Sequence, residues 1–163
     1  MIRVEPYRSE YSRAVTGLIA DFRVTLRSYK GIESTPDIAA AEEELLDYLK
    51  DDMPIYVALS DEQVVAYMVL RIDAPCVWGE SIYVMPAHRK LGIASRLLEK
   101  AEAVARTYGE DNLYYYVHPN NDGVIAFLKS HGYSVLNLIE VRKQGKDETL
   151  NQTIQVGDHR FDY

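Results

Sequence analysis

The segment from Trp78 to Tyr108 constrains the fold most, because a β-rich run leads through a proline and a glycine into a long amphipathic helix. Pro86 ends the predicted strand after Val84, since proline cannot donate a hydrogen bond to a neighbouring strand. Beyond Gly92 the apolar side chains recur at the spacing of one helix face. They are Ile93, Leu97, Ala101, Val104 and Tyr108. We therefore expect an α/β fold built around this strand, turn and helix.

Helix-like and strand-like segments alternate through the rest of the chain, with no internal repeat or low-complexity linker. The pattern predicts one α/β (α+β) domain over residues 1–163, with the order ααβββαβαββ and a C-terminal hairpin at about 135–163. The predicted elements are residues 11–26, 34–49, 55–59, 64–70, 78–84, 93–108, 113–117, 122–131, 135–142 and 153–161.

The start of the second helix is predicted at Ser34 and Thr35, where a hydroxyl side chain would cap the helix and Pro36 would occupy its first turn. The rest of this helix is strongly acidic between Glu42 and Asp52. These carboxylates form either an ordinary solvated face or the border of a site for cationic ligands.

Composition limits the classes of function. The chain has 163 residues and a formal net charge of −7 at pH 7, which opposes nonspecific binding to nucleic acid or anionic membranes. Its single cysteine, Cys76, excludes an internal disulfide framework. The N-terminal residues lack the pattern of a secretory signal and no apolar run is long enough to span a bilayer, so we expect a cytoplasmic protein.

The turn that precedes the long helix has the features of an anion-binding site. Backbone N–H groups at a helix N-terminus bind phosphate, and Gly92 and Ala94 leave room for a pyrophosphate to approach. Arg89 and Lys90 add positive charge in an otherwise acidic chain. The alternative is an ordinary packing turn, because a strand, a turn with one glycine and a helix are common in this order.

Val84-Met85-Pro86 and Arg89-Lys90-Leu91-Gly92-Ile93-Ala94 resemble motif A of the GNAT superfamily of acetyl-CoA-dependent N-acyltransferases. In that motif a strand ends in Val-x-Pro, and Arg/Gln-x-x-Gly-x-Gly/Ala opens a long helix. Downstream, Asn121, Val124-Ile125, Phe127 and Gly132-Tyr133 resemble motif B, which usually reads Asn-x-x-Ala-Ile and ends in Gly-Phe. The resemblance covers about residues 2–142 and implies a mixed, mostly antiparallel central sheet flanked by helices.

The resemblance also implies the coenzyme and its site. Acetyl-CoA would be the co-substrate, with no metal, and the Val84 main chain would pair with its pantetheine arm. The Ile82 amide would polarise the thioester carbonyl, and Asn121 and Leu128 would complete the coenzyme site. Backbone amides of one turn would hold the pyrophosphate: Arg89, Lys90, Leu91, Gly92, Ile93, Ala94 and Ser95.

A primary amine on a small molecule, peptide or protein would attack the thioester directly, and its ammonium must first lose a proton. Glu80 is the first candidate base, because strand alternation puts it on the face of Ile82 and Val84. The alternative for Glu80 is a solvated or salt-bridged carboxylate. His118 is the second candidate, since an imidazole pKa suits proton transfer near neutrality, and its alternative is an ordinary loop histidine.

The chain departs from the family pattern at Leu128, where many members carry a tyrosine that protonates the departing thiolate. A non-catalytic acyl-CoA-binding module is therefore the alternative to an N-acetyltransferase. The sequence does not identify the amine acceptor, and the C-terminal hairpin is a candidate surface for a homodimer.

Overall fold

The structure is a computed structural model that describes residues 1–109 and 113–163. Its contacts divide the chain into two compact units, Met1–Ala126 and Phe127–Tyr163. The helices and strands, in chain order, are β1 Ile2–Pro6, α1 Ser12–Ser28, α2 Ile38–Lys50, β2 Ile55–Ser60, β3 Gln63–Asp73, β4 Cys76–Val84, α3 Ile93–Arg106, β5 Tyr114–Tyr115, α4 Asp122–Ser130, β6 Thr153–Val156 and β7 His159–Asp162.

The first unit contains a five-stranded sheet in the order β1-β2-β3-β4-β5. The pairs β1–β2, β2–β3 and β3–β4 are antiparallel, and β5 runs parallel to β4. The predicted mixed, mostly antiparallel sheet with flanking helices is thus confirmed. The predicted order was wrong at the start, because β1 pairs with β2 from Ile2 opposite Ser60 to Pro6 opposite Tyr56. The alternation of apolar and charged residues over Ile2–Glu5 was the signal for this strand.

Helices cover both faces of the sheet. Tyr67 and Val69 of β3 lie in the hydrophobic core that α1 and α2 complete. Met68 and Leu70, which alternate with them, are fully buried on the other face, where α3 packs against the strands. The buried face of α3 matches the predicted stripe at Ile93, Leu97 and Ala101.

The N-cap of α2 differs from the prediction. The Asp37 carboxylate accepts a hydrogen bond from the backbone N–H of Ala40 at 3.0 Å, so the cap is this aspartate and not Ser34 or Thr35. Aspartate caps as well as serine does, and it lies directly before the first helical residue.

Two irregularities shape the second half of β4. Val69 lies opposite Ser81 and Leu70 lies opposite Gly79, so Glu80 is an extra residue that forms a β-bulge. In the described part of the chain, the parallel strand β5 pairs with Trp78 and Gly79 and with no later residue of β4. Within the described residues, the edge of β4 beyond Gly79 therefore has no strand partner on the β5 side.

The second unit contains the hairpin of β6 and β7, joined by a two-residue turn in which Gly157 has φ 59°. The strand predicted over 135–142 was wrong, since this segment has no regular secondary structure. Apolar residues form a strand only where a neighbouring strand pairs with them. Here β6 pairs with β7 and not with residues 135–142. Val135, Leu136 and Leu138 are exposed as a result.

No helix in the described part of the chain has the length and hydrophobicity of a transmembrane segment.

Candidate active site

The open edge of β4 presents main-chain groups of two residues. Tyr83 lies opposite Tyr67, and the N–H of Met85 donates to the carbonyl of Val65 at 2.9 Å. Hydrogen-bonding directions alternate along an antiparallel strand, so the N–H and C=O groups of Ile82 and Val84 point away from β3. They face the edge where β5 no longer pairs, which leaves a donor and acceptor strip for an extended ligand.

The Arg89 side chain folds onto this edge of β4 from the turn that follows the strand. Its Nε donates to the carbonyl oxygen of Val84 at 3.0 Å, and its guanidinium carbon is 5.5 Å from the centre of the Tyr83 ring. The turn that follows β4 is thereby tied to the open edge through a side chain. A ligand that pairs with the Val84 carbonyl would compete with this contact.

The turn itself has the backbone geometry of an anion site. Lys90 has φ 64° and Gly92 has φ 75°, while Leu91 between them does not have a positive φ. Alternating handedness of this kind turns successive N–H groups toward one side. Lys90 adopts the left-handed conformation without being a glycine, which costs energy that a functional turn often retains.

The N-terminus of α3 adds further donors. Gly92 is its N-cap, and among the described residues no side chain caps it. The first helical hydrogen bond runs from the N–H of Arg96 to the carbonyl of Gly92 at 3.2 Å, so the amides of Ile93, Ala94 and Ser95 precede that bond. Among the described residues, none lies within 4 Å of a Cβ added at Gly92, so there is open space beside this glycine.

The structure places Glu80 on a different face from the one predicted. Glu80 Oε2 accepts from Arg71 Nε at 3.1 Å, and Arg71 lies opposite Trp78 across the two strands. The bulge resets the alternation, so Glu80 shares the face of α1 and α2 and not that of Ile82. The salt-bridged carboxylate, weighed above as the alternative, is the state that the structure contains.

A polar network lies near Glu80 on this face. Glu44 of α2 accepts hydrogen bonds from Arg23 and from the Tyr48 hydroxyl. Burial, this hydrogen bond and the charges of Glu44 and Glu80 raise the pKa of Tyr48, so its phenol stays protonated at neutral pH. Glu44, one residue of the acidic run on α2, is therefore a structural carboxylate and not part of a solvated face.

His118 belongs to a separate cluster at the end of α1. Its ring stacks on Tyr29, with centroids 5.9 Å apart and planes inclined by 17°. The backbone N–H of Asn120 donates to His118 Nδ1 at 3.1 Å, so the neutral imidazole carries its proton on Nε2. Partial burial and the positive charge of Lys30 lower the pKa of His118.

Asn121 is buried and connects the same loop to two helices. Its side-chain oxygen accepts from the Tyr29 hydroxyl at 3.1 Å and from the N–H of Val124 at 3.3 Å. The first contact holds the end of α1, and the second caps α4. The side chain thus has a structural role in the placement of this loop.

Leu128 is buried on α4, and its carbonyl accepts from the N–H groups of His131 and Tyr133 at 3.0 Å each. Gly132, with φ 89°, ends the helix in the left-handed conformation typical of a helix C-terminus. The Gly-Tyr pair of the sequence motif therefore terminates α4.

The structure brings together Ile82, Val84 and the turn from Arg89 to Ser95. Glu80 lies on the face of the sheet that α1 and α2 cover. His118 and Asn121 lie together with Tyr29. Sequence reasoning did not single out Arg71 or Tyr29, because a cross-strand salt bridge and a helix-to-loop contact leave no local pattern. Within the described residues, no group of three or more His, Cys, Asp or Glu side chains could hold a metal ion.

An open strand edge beside an uncapped helix N-terminus is an arrangement suited to an extended, phosphorylated ligand. A sequence model of the acetyltransferase (GNAT) family matches residues 20–133. The match covers more than half of the chain, so the chain belongs to the GNAT family of acetyltransferases, and the resemblance found in its motifs is confirmed. No curated protein matches the chain significantly.

Solved structures of acetyltransferases share the fold. AAC(6')-Iy, in complex with a bisubstrate analogue, CoA-S-monomethyl-acetylneamine, superposes with a TM-score of 0.67 at 17% identity, covering 89% of this chain and 99% of that one. The aminoglycoside 6'-N-acetyltransferase AAC(6')-IG from Acinetobacter haemolyticus gives 0.63 at 20% identity, covering 90% and 99%. A predicted acetyltransferase from Clostridium acetobutylicum, in a structure with acetyl-CoA, gives 0.64 at 16% identity, covering 87% and 96%. At these identities the likeness concerns the fold.

Proposed function

We propose that this protein transfers the acetyl group of acetyl-CoA to a primary amine by direct attack. The observation that carries the proposal is the open edge of β4, with the main chains of Ile82 and Val84 turned toward it, beside the uncapped N-terminus of α3. Family membership supports acetyl-CoA as the co-substrate, and one solved neighbour contains that molecule.

The coenzyme would lie along this edge. The turn from Arg89 to Ser95 would hold the pyrophosphate through backbone N–H groups, with the exposed Lys90 adding positive charge. The pantetheine arm would pair with Val84 and release the Arg89 side chain from the Val84 carbonyl. The Ile82 N–H would then donate to the thioester oxygen, a contact that lowers a barrier by about 3–4 kcal/mol where charge develops on that oxygen.

The reaction balances without a covalent enzyme intermediate. The amine nitrogen forms a bond to the acetyl carbon, the bond from that carbon to sulfur breaks, and the electron pair leaves with the thiolate. The proton lost by the nitrogen passes to a base, for which Glu80 is the first candidate and His118 the second. Leu128 carries no acidic proton, so the thiolate would be protonated by water or by the proton that the base has received.

A non-catalytic acyl-CoA-binding module is the second candidate function, and Leu128 is the observation that favours it. The two functions differ in turnover and share coenzyme binding. Release of free thiol from acetyl-CoA in the presence of an amine panel supports the enzyme. Stabilisation by acetyl-CoA with no thiol release on any amine supports the binding module.

Coenzyme binding is tested by thermal unfolding with acetyl-CoA. At about 100 times its dissociation constant a ligand stabilises the folded state by about 2.7 kcal/mol. Gly92→Asp should abolish this stabilisation, because its carboxylate would repel the pyrophosphate. Gly109→Asp is the matched control, because Gly109 also has a positive φ and follows the other end of α3. No described atom lies within 4 Å of a Cβ added there. No stabilisation of the wild type would overturn the proposal.

The base is tested by Glu80→Gln, which keeps the shape of the side chain and its contact with Arg71. We expect kcat to fall about 100-fold, within the range typical of general base catalysis, with the KM for acetyl-CoA unchanged. Wild-type kcat in this variant, together with a large loss in His118→Gln, would assign the proton transfer to His118.

A further inference from the structure

Aromatic side chains form a partly exposed surface on and beside β4 and β5, next to Glu80. The Trp78 ring stacks on Tyr116 with centroids 4.9 Å apart and planes inclined by 8°, and it contacts Tyr114 at 5.0 Å. Arg71 lies over the same indole, with its guanidinium carbon 5.5 Å from the ring centre. We call Trp78, Tyr114 and Tyr116 the aromatic shelf.

The shelf results from strand alternation. Tyr115 points to the opposite face, where its ring lies so close to Gly79 that a side chain added there would be 1.9 Å from it. Tyr114 and Tyr116 consequently share the face of Trp78. Tyr116 is 62% exposed. A stacked tyrosine with this much exposed ring surface offers a π-face to a ligand.

The shelf lies beside two carboxylates and already holds a cation. Arg71 bonds to Glu80 at 3.1 Å and to Asp73 at 2.9 Å while it lies over Trp78. An aromatic ring and two carboxylates around a guanidinium are the chemistry that recognises organic cations in general. The three charged side chains of this surface, Arg71, Asp73 and Glu80, sum to a formal charge of −1 and favour a cationic ligand.

From these contacts we propose that the aromatic shelf is the specificity site for the acceptor, and that the acceptor is an amine joined to an aromatic ring by a short chain. The acceptor ring would take the place of the Arg71 guanidinium over the Trp78 indole, which already stacks on Tyr116. The ammonium would replace Arg71 at the Glu80 carboxylate. Trp78 and Glu80 are two residues apart, which corresponds to at most roughly 7 Å of strand because Glu80 is a bulge residue. This distance suits a chain of two or three carbons. This inference rests on the proposed function, since it names the acceptor class for that reaction.

The single tryptophan of the chain makes the proposal testable without turnover. Fluorescence of Trp78, excited at a wavelength that tyrosine does not absorb, would be followed during titration with 2-phenylethylamine. We expect a saturable change in the wild type. Uncharged 2-phenylethanol and the ring-free n-hexylamine should each bind at least tenfold more weakly, because each lacks one of the two recognised groups.

Two variants separate the shelf from the rest of the surface. Tyr116→Ala should weaken 2-phenylethylamine at least tenfold, because the Trp78 indole loses the ring that stacks on it and holds its orientation. The KM for this amine should rise by a similar factor, with the KM for acetyl-CoA unchanged. Tyr108→Ala, which removes an exposed tyrosine after α3, should leave the affinity unchanged. Tyr116 is largely exposed, so its removal should not prevent folding.

The proposal would be overturned by the absence of a saturable change in the wild type, or by equal affinity in Tyr116→Ala. Equal binding of n-hexylamine and 2-phenylethylamine would also overturn it, since the ring would then contribute nothing. The proposed function is tested separately, by thermal unfolding with acetyl-CoA and without any amine. A failure of the acceptor proposal can therefore be distinguished from a failure of the proposed function.

Discussion

Gly79 is the residue that allows β5 to approach β4. The Tyr115 ring lies where a side chain at position 79 would stand, and Gly79 is also the last residue of β4 that pairs with β5. The two strands separate directly after it, where the bulge at Glu80 begins. One residue without a side chain thus marks the point from which the edge of β4 is open.

Gly79→Ala should destabilise the protein by about 1–3 kcal/mol, because the added methyl group overlaps the Tyr115 ring and forces it to move. Gly17→Ala is the control. It lies within α1 with nothing within 4 Å of the added methyl, and it should stabilise the protein by about 0.5–1 kcal/mol. Denaturant unfolding of both variants measures the two free energies, and equal signs would contradict the packing argument.

The titration of His118 should reflect its surroundings. Burial and Lys30 both lower its pKa, so the resonance of its ring protons should titrate below the ordinary value of about 6.5, and Lys30→Gln should move it upward. The unfolded chain binds the proton more tightly, so stability should be lost as pH falls through 6.5 toward the pKa of the folded state. His118→Gln should remove this loss, and a measured pKa above 6.5 would contradict the argument.

At the scale of helices and strands, the sequence predicts those elements that depend on residues close together in the chain. The apolar stripes of α1 and α3 and the hairpin of β2 and β3 follow from periodicity within one segment. The strand over 135–142 was wrong because its formation depends on a partner elsewhere in the chain, which no local pattern specifies. The turn before α3 was predicted correctly because Gly92 and the residues around it form one continuous stretch of sequence.

The face of Glu80 could not be predicted, because a bulge changes the alternation by one residue without a sequence signal of its own. The aromatic run at Tyr114–Tyr116 was visible in the sequence, but its stacking on Trp78 depends on the parallel pairing of β4 and β5. Contacts between strands thus determine the arrangement of Glu80 and of the aromatic shelf.

The cap of α2 gives a prediction at this scale. Asp37→Ala should destabilise the protein by about 1 kcal/mol, because the N–H of Ala40 loses its acceptor at the helix start. Thr35→Ala, at the position where a hydroxyl cap was predicted, should change stability by less than about 0.5 kcal/mol. Thermal and denaturant unfolding would compare them, and a larger loss for Thr35→Ala would restore the predicted cap.

At the scale of the whole molecule, the formal net charge of −7 should assist cationic acceptors. With acetyl-CoA saturating, a diamine should have a higher kcat/KM than a monoamine of equal length. The difference should shrink as salt rises, because charges more than about 8 Å apart are screened at physiological ionic strength. A ratio that stays constant from low to high salt would contradict long-range attraction.

Because β4 separates from β5, the backbone amides of β4 should fall into two classes that differ in their rate of hydrogen–deuterium exchange. The N–H groups of Ser81 and Tyr83 point to β3 and are held within the sheet, whereas those of Ile82 and Val84 point to the open edge. Deuterium should therefore enter at every second residue of this strand at rates set by local exposure, and at the residues between them at rates set by opening of the sheet. A ligand bound along the edge would accept hydrogen bonds from the amides of Ile82 and Val84 and slow their exchange. Their rates would then approach those of Ser81 and Tyr83, so exchange along β4 measures ligand binding.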